Sequence, residues 1–251
     1  KKANDILAVE YLKQLNLTGS GIEPFTVKRY GTGYLDQCCF ENIASASAIR
    51  RLLSKSGNFQ EISAYLPSHT FEVLNGLNKG VNLTLNDFYP LLIYQILTSD
   101  PAGLGNILSA TEGLEHRVKK AAAASVDTDS LLRAVLSKRY TRTRIQRLLA
   151  HTLIQLDKES FHDILDKRVN YARILAIGRK GARLLKQIKK EELNSIPVLT
   201  NINREVSKDS EEWKLLKYDI AASDIYNLTA YGEIHTHSDY VMKPFIDFDK
   251  K

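Results

Sequence analysis

Cysteine, methionine and tryptophan are nearly missing from these 251 residues, which hold two, one and one of them respectively. The two cysteines, Cys38 and Cys39, are adjacent, a spacing that suits neither an ordinary disulfide nor a tetrahedral zinc site. Such usage points to a reducing cytoplasm. Long apolar runs are absent as well. A membrane span needs about 20 apolar residues, and the richest segment, Phe88 to Leu97, is interrupted by Pro90 and Gln95. It reads as a buried helix, and no membrane partner is expected. The first residues lack the apolar region of a signal peptide. The chain opens on Lys1 and its sole methionine is Met242, so we read it as the later part of a longer protein. Internal repeats and low-complexity tracts are also missing.

What the chain does have is unevenly placed positive charge. The net charge of +6 permits a nucleic-acid partner without demanding one. Residues 167–190 carry Lys167, Arg168, Arg173, Arg179, Lys180, Arg183, Lys186, Lys189 and Lys190 with no acidic residue. A second acid-free cluster, KRYTRTRIQR, holds Lys138, Arg139, Arg142, Arg144 and Arg147.

Apolar spacing divides the chain into three parts. In DILAVEYLKQL, Ile6, Val9, Leu12 and Leu15 recur at helical intervals, with Asn4 or Asp5 as the N-cap. PFTVKRYGTGY alternates β-formers with polar residues and then breaks at Gly31 and Gly33, predicting a strand and a loop over 24–34. IASASAIRRLLSKSG starts a helix that ends at Gly57. From Asn58 to about 166 the pattern is helical throughout, with caps at Asp127 and Thr141 and loops marked by Pro67, Gly80 and Pro101. In TRTRIQRLLAHTLIQL, Ile145, Leu148, Leu149, Thr152, Leu153 and Leu156 form the core stripe, while Arg144, Arg147 and His151 share another side. After Arg168 the period changes. YARILAIG and IPVLTNI read as strands around the helix GRKGARLLKQIKK, SEEWKLLKYDIAASDIYNL as another helix, and the tail after Tyr231 as loosely attached. The expected class is therefore mainly α with α/β parts. Its divisions are a strand–loop–helix unit over 1–57, a helical domain over 58–166, and a small basic α/β domain with a tail over 167–251.

Ile43 to Arg50, IASASAIR, is the most informative stretch. Ser45 and Ser47 stand two apart, and Arg50 follows three later. A helix start offers unpaired N–H groups and partial positive charge, and arginine is the best phosphate fork among the side chains. The plain alternative is a capped surface helix whose arginine faces water. The stretch resembles the second nucleotide signature of the HxGH-type nucleotidyltransferases. Taken with ANDIL, VKRYG, EGLEHRV, KRYTRTRIQR, ARILAIGRKG and DIAASDIYNL, the chain resembles one family over nearly its whole length, the tRNA(Met) cytidine acetate ligases.

The resemblance implies a Rossmann-like nucleotidyltransferase domain, of which 1–57 would be the last part. It also implies ATP as cofactor, accompanied by Mg2+, and acetate and elongator tRNA(Met) as partners. Acetate would become acetyl-adenylate with loss of pyrophosphate, and the acetyl group would pass to N4 of the wobble cytidine. Asn4, Arg29, Ser45, Ser47 and Arg50 would contact ATP. Asn4 as a helix cap, and Arg29 as a surface residue paired with Glu23 or Asp36, are the simpler readings. No HxGH occurs in the sequence, so the first signature is expected ahead of Lys1 and the chain alone is expected to be inactive. For tRNA we select Lys138, Arg144, Arg147, Arg179, Lys180 and Arg183. In the first cluster the plain alternative is that Arg139 and Arg142 pack or pair structurally at a helix junction while Arg144 and Arg147 stay exposed, and we favour a mixed role. Another HxGH-type adenylyltransferase and a non-catalytic RNA-binding helical module are the alternatives. His235-Thr-His237 lacks the further ligands of a metal site, and His116 reads as an i,i+4 partner of Glu112. Tyr30, Tyr34 and Phe40 could stack on a base, though β-formers beside a strand are more often core.

Overall fold

Local signals in the chain set most helix ends. A computed structural model describes residues 3–27, 41–56, 59–76, 83–166, 170–191, 196–236 and 238–247. It divides into two units, 1–76 and 77–251. The boundaries expected at 57/58 and 166/167 fall on Gly57, Asn58 and Lys167, outside the described residues.

The first unit begins with α1 (Ala3–Leu17), which starts earlier than the spacing predicted. Asn4 and Asp5 lie inside its first turn, so neither is the cap. The helix stops in a left-handed Gly19 (φ 59°), whose N–H reaches the Asn16 carbonyl while that of Ser20 reaches Leu15. This pairing satisfies carbonyls the last turn leaves open, and glycine adopts the required φ without a Cβ penalty. Pro24 to Val27 form no strand, and 28–40 lie outside the described residues. α2 (Ala46–Ser56) follows. The segment expected to be a helix at FQEISAYL is a 3-10 helix over Phe59–Tyr65. Pro67 disfavours helical backbone at Leu66 and has no N–H to continue the ladder. Ala48, Leu53 and Ile62 are buried here, and α3 (Ser68–Gly76) buries none of its side chains.

The second unit opens with α4 (Tyr89–Thr98), α5 (Pro101–Asn106), α6 (Leu114–Ala122), α7 (Thr128–Val135), α8 (Arg142–Leu153) and α9 (Lys158–Asp166). Four of these helices contribute one i,i+4 pair each to a common core: Leu92/Ile96, Leu114/Val118, Leu131/Val135 and Ile145/Leu149. Side chains four apart lie on one helical face, and burying each contributes about 1.5–3 kcal/mol. Asp127 caps α7 as expected, its carboxylate accepting the Ser130 N–H at 2.6 Å within a reciprocal capping box. Thr141 occupies the cap position of α8 without a side-chain bond.

The rest of this unit carries two small parallel sheets. β1 (Ala172–Arg173) pairs with β3 (Val198–Leu199) across α10 (Arg179–Glu191). β2 (Ala176–Gly178) pairs with β4 (Phe245–Asp247). YARILAIG is thus split between two sheets instead of forming one strand. α11 (Ile202–Glu205) and α12 (Glu211–Tyr231) supply Ile202, Leu216 and Ile220, which pack with Leu199. The tail after Tyr231 is not loose. Besides β4, Asp239 accepts from Arg173 at 2.7 Å, both side chains being largely buried, and Tyr240 packs against Trp213. Paired backbone and a buried ion pair hold it where composition alone suggested a free end.

Candidate nucleotide and nucleic-acid interface

Ser45 is buried, its Oγ accepting the Ala48 N–H at 3.0 Å while its carbonyl accepts the Ile49 N–H. It is therefore the N-cap of α2. The cap orders the helix start and leaves the earlier amides of the first turn at the open end. Ser47 is half-buried and Arg50 exposed, three residues apart and so on one side of the helix. Arg50 has no ion-pair partner among the described residues. No acidic residue sits in this first turn, so the helix-start charge is not offset locally. The structure thus gathers Ser45, Ser47 and Arg50 at one helix start. Asn4 lies in the first turn of α1. Arg29 lies outside the described residues, as do Cys38, Cys39, Tyr30, Tyr34, Phe40 and His237.

The cluster over 138–147 is largely engaged with acids and an aromatic ring. Arg139 Nε meets Glu112 Oε2 at 2.8 Å, and Arg142 meets Asp129 at 2.7 Å. Arg144 donates to the Thr111 hydroxyl, lies 3.7 Å from Glu112 and sits 5.4 Å above the Tyr140 ring. Only Lys138 and Arg147 are exposed without a partner among the described residues. The plain alternative holds for Arg139 and Arg142, which pair with acids, whereas Arg144 is engaged by these contacts instead of being fully exposed. Sequence spacing could not reveal this, because Thr111 and Glu112 lie on a distant loop.

Glu112 is the hub of that arrangement. Its backbone is left-handed (φ 61°) just before Gly113 (φ 82°), and its carbonyl accepts the hydroxyl of buried Tyr140 at 2.6 Å. The hydrogen bond and charge of Arg139 hold its carboxyl below the usual carboxylate range, with Arg144 adding to the effect. EGLEHRV therefore builds a structural corner. His116 sits 3.8 Å from Glu115 and is mostly exposed, and Glu112 turns to Arg139 instead.

α10 differs. Arg179, Lys180, Arg183, Lys186 and Lys190 are exposed, while Ala182, Leu185 and Ile188 are half-buried on the inward side. Lys189 alone of its cations has an acidic partner among the described residues, Glu205 at 3.5 Å. A Cβ at Gly181 would come 3.3 Å from Ile177 Cγ1, so the strand-to-helix turn is tight and glycine fits it. Among the described residues no group of three His, Cys, Asp or Glu side chains converges for a metal ion. No described helix is long and apolar enough to cross a membrane.

Residues 1–239 match the model of the HIGH Nucleotidyl Transferase family. A protein of Thermoanaerobacter sp. (strain X514) named tRNA(Met) cytidine acetate ligase is 36% identical over 228 residues, spanning 90% of this chain and 55% of the relative. One of the same name from Clostridium botulinum (strain Okra / Type B1) is 34% identical over 245 residues, spanning 97% and 58%. The apo crystal structure of Thermotoga maritima TmcAL superposes with a TM-score of 0.84 at 26% identity, covering 99% of this chain and 61% of that one. A second form of that protein, bound with alpha-thio ATP, gives 0.81 at 24% identity. The chain thus spans little more than half the length of these relatives. With the matched region taking in both the capped start of α2 and the basic face of α10, the chain belongs to the HIGH nucleotidyl transferase family.

Proposed function

We propose that this chain is part of an ATP-dependent tRNA-modifying ligase that activates acetate as acetyl-adenylate and acetylates N4 of the wobble cytidine of elongator tRNA(Met). The observation that carries the reading is the 36% identity to a tRNA(Met) cytidine acetate ligase over 228 residues, which takes in both units. Physical arguments favour it on each side. At the start of α2, open amides, Ser47 and Arg50 suit the phosphates of ATP, with Asn4 and Arg29 as further contacts and Ser45 fixing the cap. Mg2+ would arrive on the triphosphate, since this cation is commonly shared between carboxylates and substrate phosphates. The acetate carboxylate attacks the α-phosphorus and pyrophosphate leaves. The cytidine amine then attacks the acetyl carbonyl, releasing AMP and a proton. Orientation and stabilisation of phosphate charge lower the first barrier.

On the RNA side, Arg179, Lys180 and Arg183 present an exposed basic face, with Lys138 and Arg147 as an additional free pair and Arg144 a tethered neighbour. Such contacts position a nucleic acid without reading its sequence. The division into 1–57, 58–166 and 167–251 assigns nucleotide chemistry to the first part and RNA contacts to the other two. These residues alone lack the histidine pair of the first signature, and no turnover is expected from them in isolation.

The test is acetate-dependent exchange of pyrophosphate into ATP by the intact protein. Arg50→Ala and Ser47→Ala should each lower exchange, the arginine by roughly 10- to 100-fold, the loss of a charged hydrogen bond to phosphate. Both should keep tRNA affinity. Exchange driven by a phosphopantetheine-like substrate, and not by acetate, would instead make the protein another adenylyltransferase.

A further inference from the structure

A cavity of about 350 Å3 opens in the second unit, between β1, β3, α12 and the 238–244 segment. None of the nucleotide or tRNA residues selected from the sequence lines it. Its walls combine two kinds of surface. Leu199 and Ile202 form an apolar floor, and Leu175, Met242 and Pro244 line the apolar mouth. Set against these are Asn227, 6% exposed, whose amide donates to Ser223 Oγ at 3.5 Å, and Asn201. The Asn201 carbonyl oxygen is taken by the Arg204 N–H, and its NH2 has no partner among the described residues. Tyr231 lines the same space.

Charge is arranged with equal economy. Arg173 Nη1 is fixed by Asp239, which orients the guanidinium at the wall and leaves its other nitrogens outside that contact. Lys243 is exposed at the rim without a partner among the described residues. A purely apolar ligand would cover the Asn201 NH2 without pairing it, which is costly in a desolvated site. A small inorganic anion would leave the apolar floor uncovered. The walls instead suit a heterocycle with a hydrogen-bonding edge, joined to an anion that stays at the rim. The volume lies at the low end of ligand pockets, roughly 300–1,000 Å3, which favours a single nucleotide over anything larger.

Topology supplies the source. Leu175 of the mouth leads into β2, and β2 runs directly into α10 at Arg179. Pro244, across the mouth, leads into β4, the parallel partner of β2. Three strand residues span about 10 Å, so a short paired ribbon links the cavity to the head of the exposed basic helix. We propose that this cavity receives one unstacked ribonucleotide of an RNA whose phosphate backbone lies along α10. The proposal rests on the reading of α10 as an RNA-binding face. Phosphate contacts alone leave register open, whereas a seated base fixes it, and single-stranded RNA is commonly recognised through splayed bases.

The intact protein is irradiated with tRNA(Met) transcript containing 4-thiouridine, and cross-linked peptides are mapped. Cross-links are expected between Asn227 and Lys243. Met242 is 54% exposed, so Met242→Trp plugs the mouth without disturbing the core. It should abolish those cross-links and weaken tRNA binding roughly tenfold, as expected for one stacked base, with the salt slope and circular dichroism unchanged. Lys243→Gln should weaken binding less and flatten the slope by about one. If wild-type protein binds tRNA with strong salt dependence, yet no cross-link maps to the cavity and Met242→Trp binds equally well, the cavity proposal is overturned and the RNA reading stands. Absence of tRNA binding by the wild type at low salt overturns both. Labelling of the cavity by free 4-thio-UMP but not by RNA overturns the RNA-linked occupant in favour of a free nucleotide.

Discussion

Residues 138–147 and 179–190 carry five and six basic side chains with no acid between them, yet their surroundings differ. In the first, Glu112 and Asp129 reach across from other elements and take Arg139 and Arg142, and Tyr140 lies beneath Arg144. In the second, Glu205 meets Lys189 while the preceding cations of α10 face water. Charge in a sequence is thus an upper bound on charge available to a partner. The first cluster is mostly architecture, and the second is mostly surface.

The largest expected effect separates the two directly. Arg179→Glu with Arg183→Glu should lower tRNA affinity more than tenfold at about 0.15 M salt and flatten the log–log salt slope by roughly two. Arg139→Gln with Arg142→Gln should change affinity little while lowering Tm. Filter binding across a salt series, beside thermal melts, reads both outcomes, and the reverse pattern would break the comparison.

A smaller effect probes the corner that holds the first cluster. Tyr140→Phe removes the hydroxyl donated to the Glu112 carbonyl. It should cost about 0.5–1.5 kcal/mol in urea unfolding, with RNA affinity kept. An unchanged midpoint would mean that water replaces the hydroxyl and that the corner is held by Arg139 alone.

The smallest effect is a pH dependence. The folded Glu112 carboxyl sits below its ordinary value because Arg139 bonds to it. A depressed carboxylate contributes stability that is fully present above the unfolded value, about 4.3, and lost as pH falls through the lower folded one. The Arg139 Nε–H resonance should therefore stay constant from neutral pH to about 4.3 and shift below it. The resonances of Arg179 and Arg183 should not move over that range. Simultaneous movement would show that the two clusters are not independent.

Local signals carried much of the fold. The Asp127 capping box lies within four residues, and helical periodicity alone gives the stripe Ile145, Leu148, Leu149, Thr152, Leu153 and Leu156; the first four are buried, while Leu153 and Leu156, at and beyond the end of α8, are half-buried. The capped helix start at Ser45 was readable for the same reason, since a cap and its first turn are contiguous. What failed to show was nonlocal. The engagement of Arg144 depends on a loop more than thirty residues earlier. The attachment of the tail depends on Arg173 and β2, far upstream of it. Parallel pairing leaves no turn signature, because no hairpin joins its strands. The cavity escaped notice likewise, its walls coming from four separated segments.

The pairing of Ala176 with Phe245 also sets a timetable for biosynthesis. At about 5–20 residues per second, the ribosome emits β2 on the order of 10 s before β4. Throughout that interval the β2 edge has no strand to pair with, and the basic helix that follows it has lost one of its anchors. Pairings between distant segments form slowly. Nascent chains of this protein therefore pass through a window in which an open strand edge and a cationic helix emerge together beside the polyanionic ribosome, and the arrival of β4 closes it.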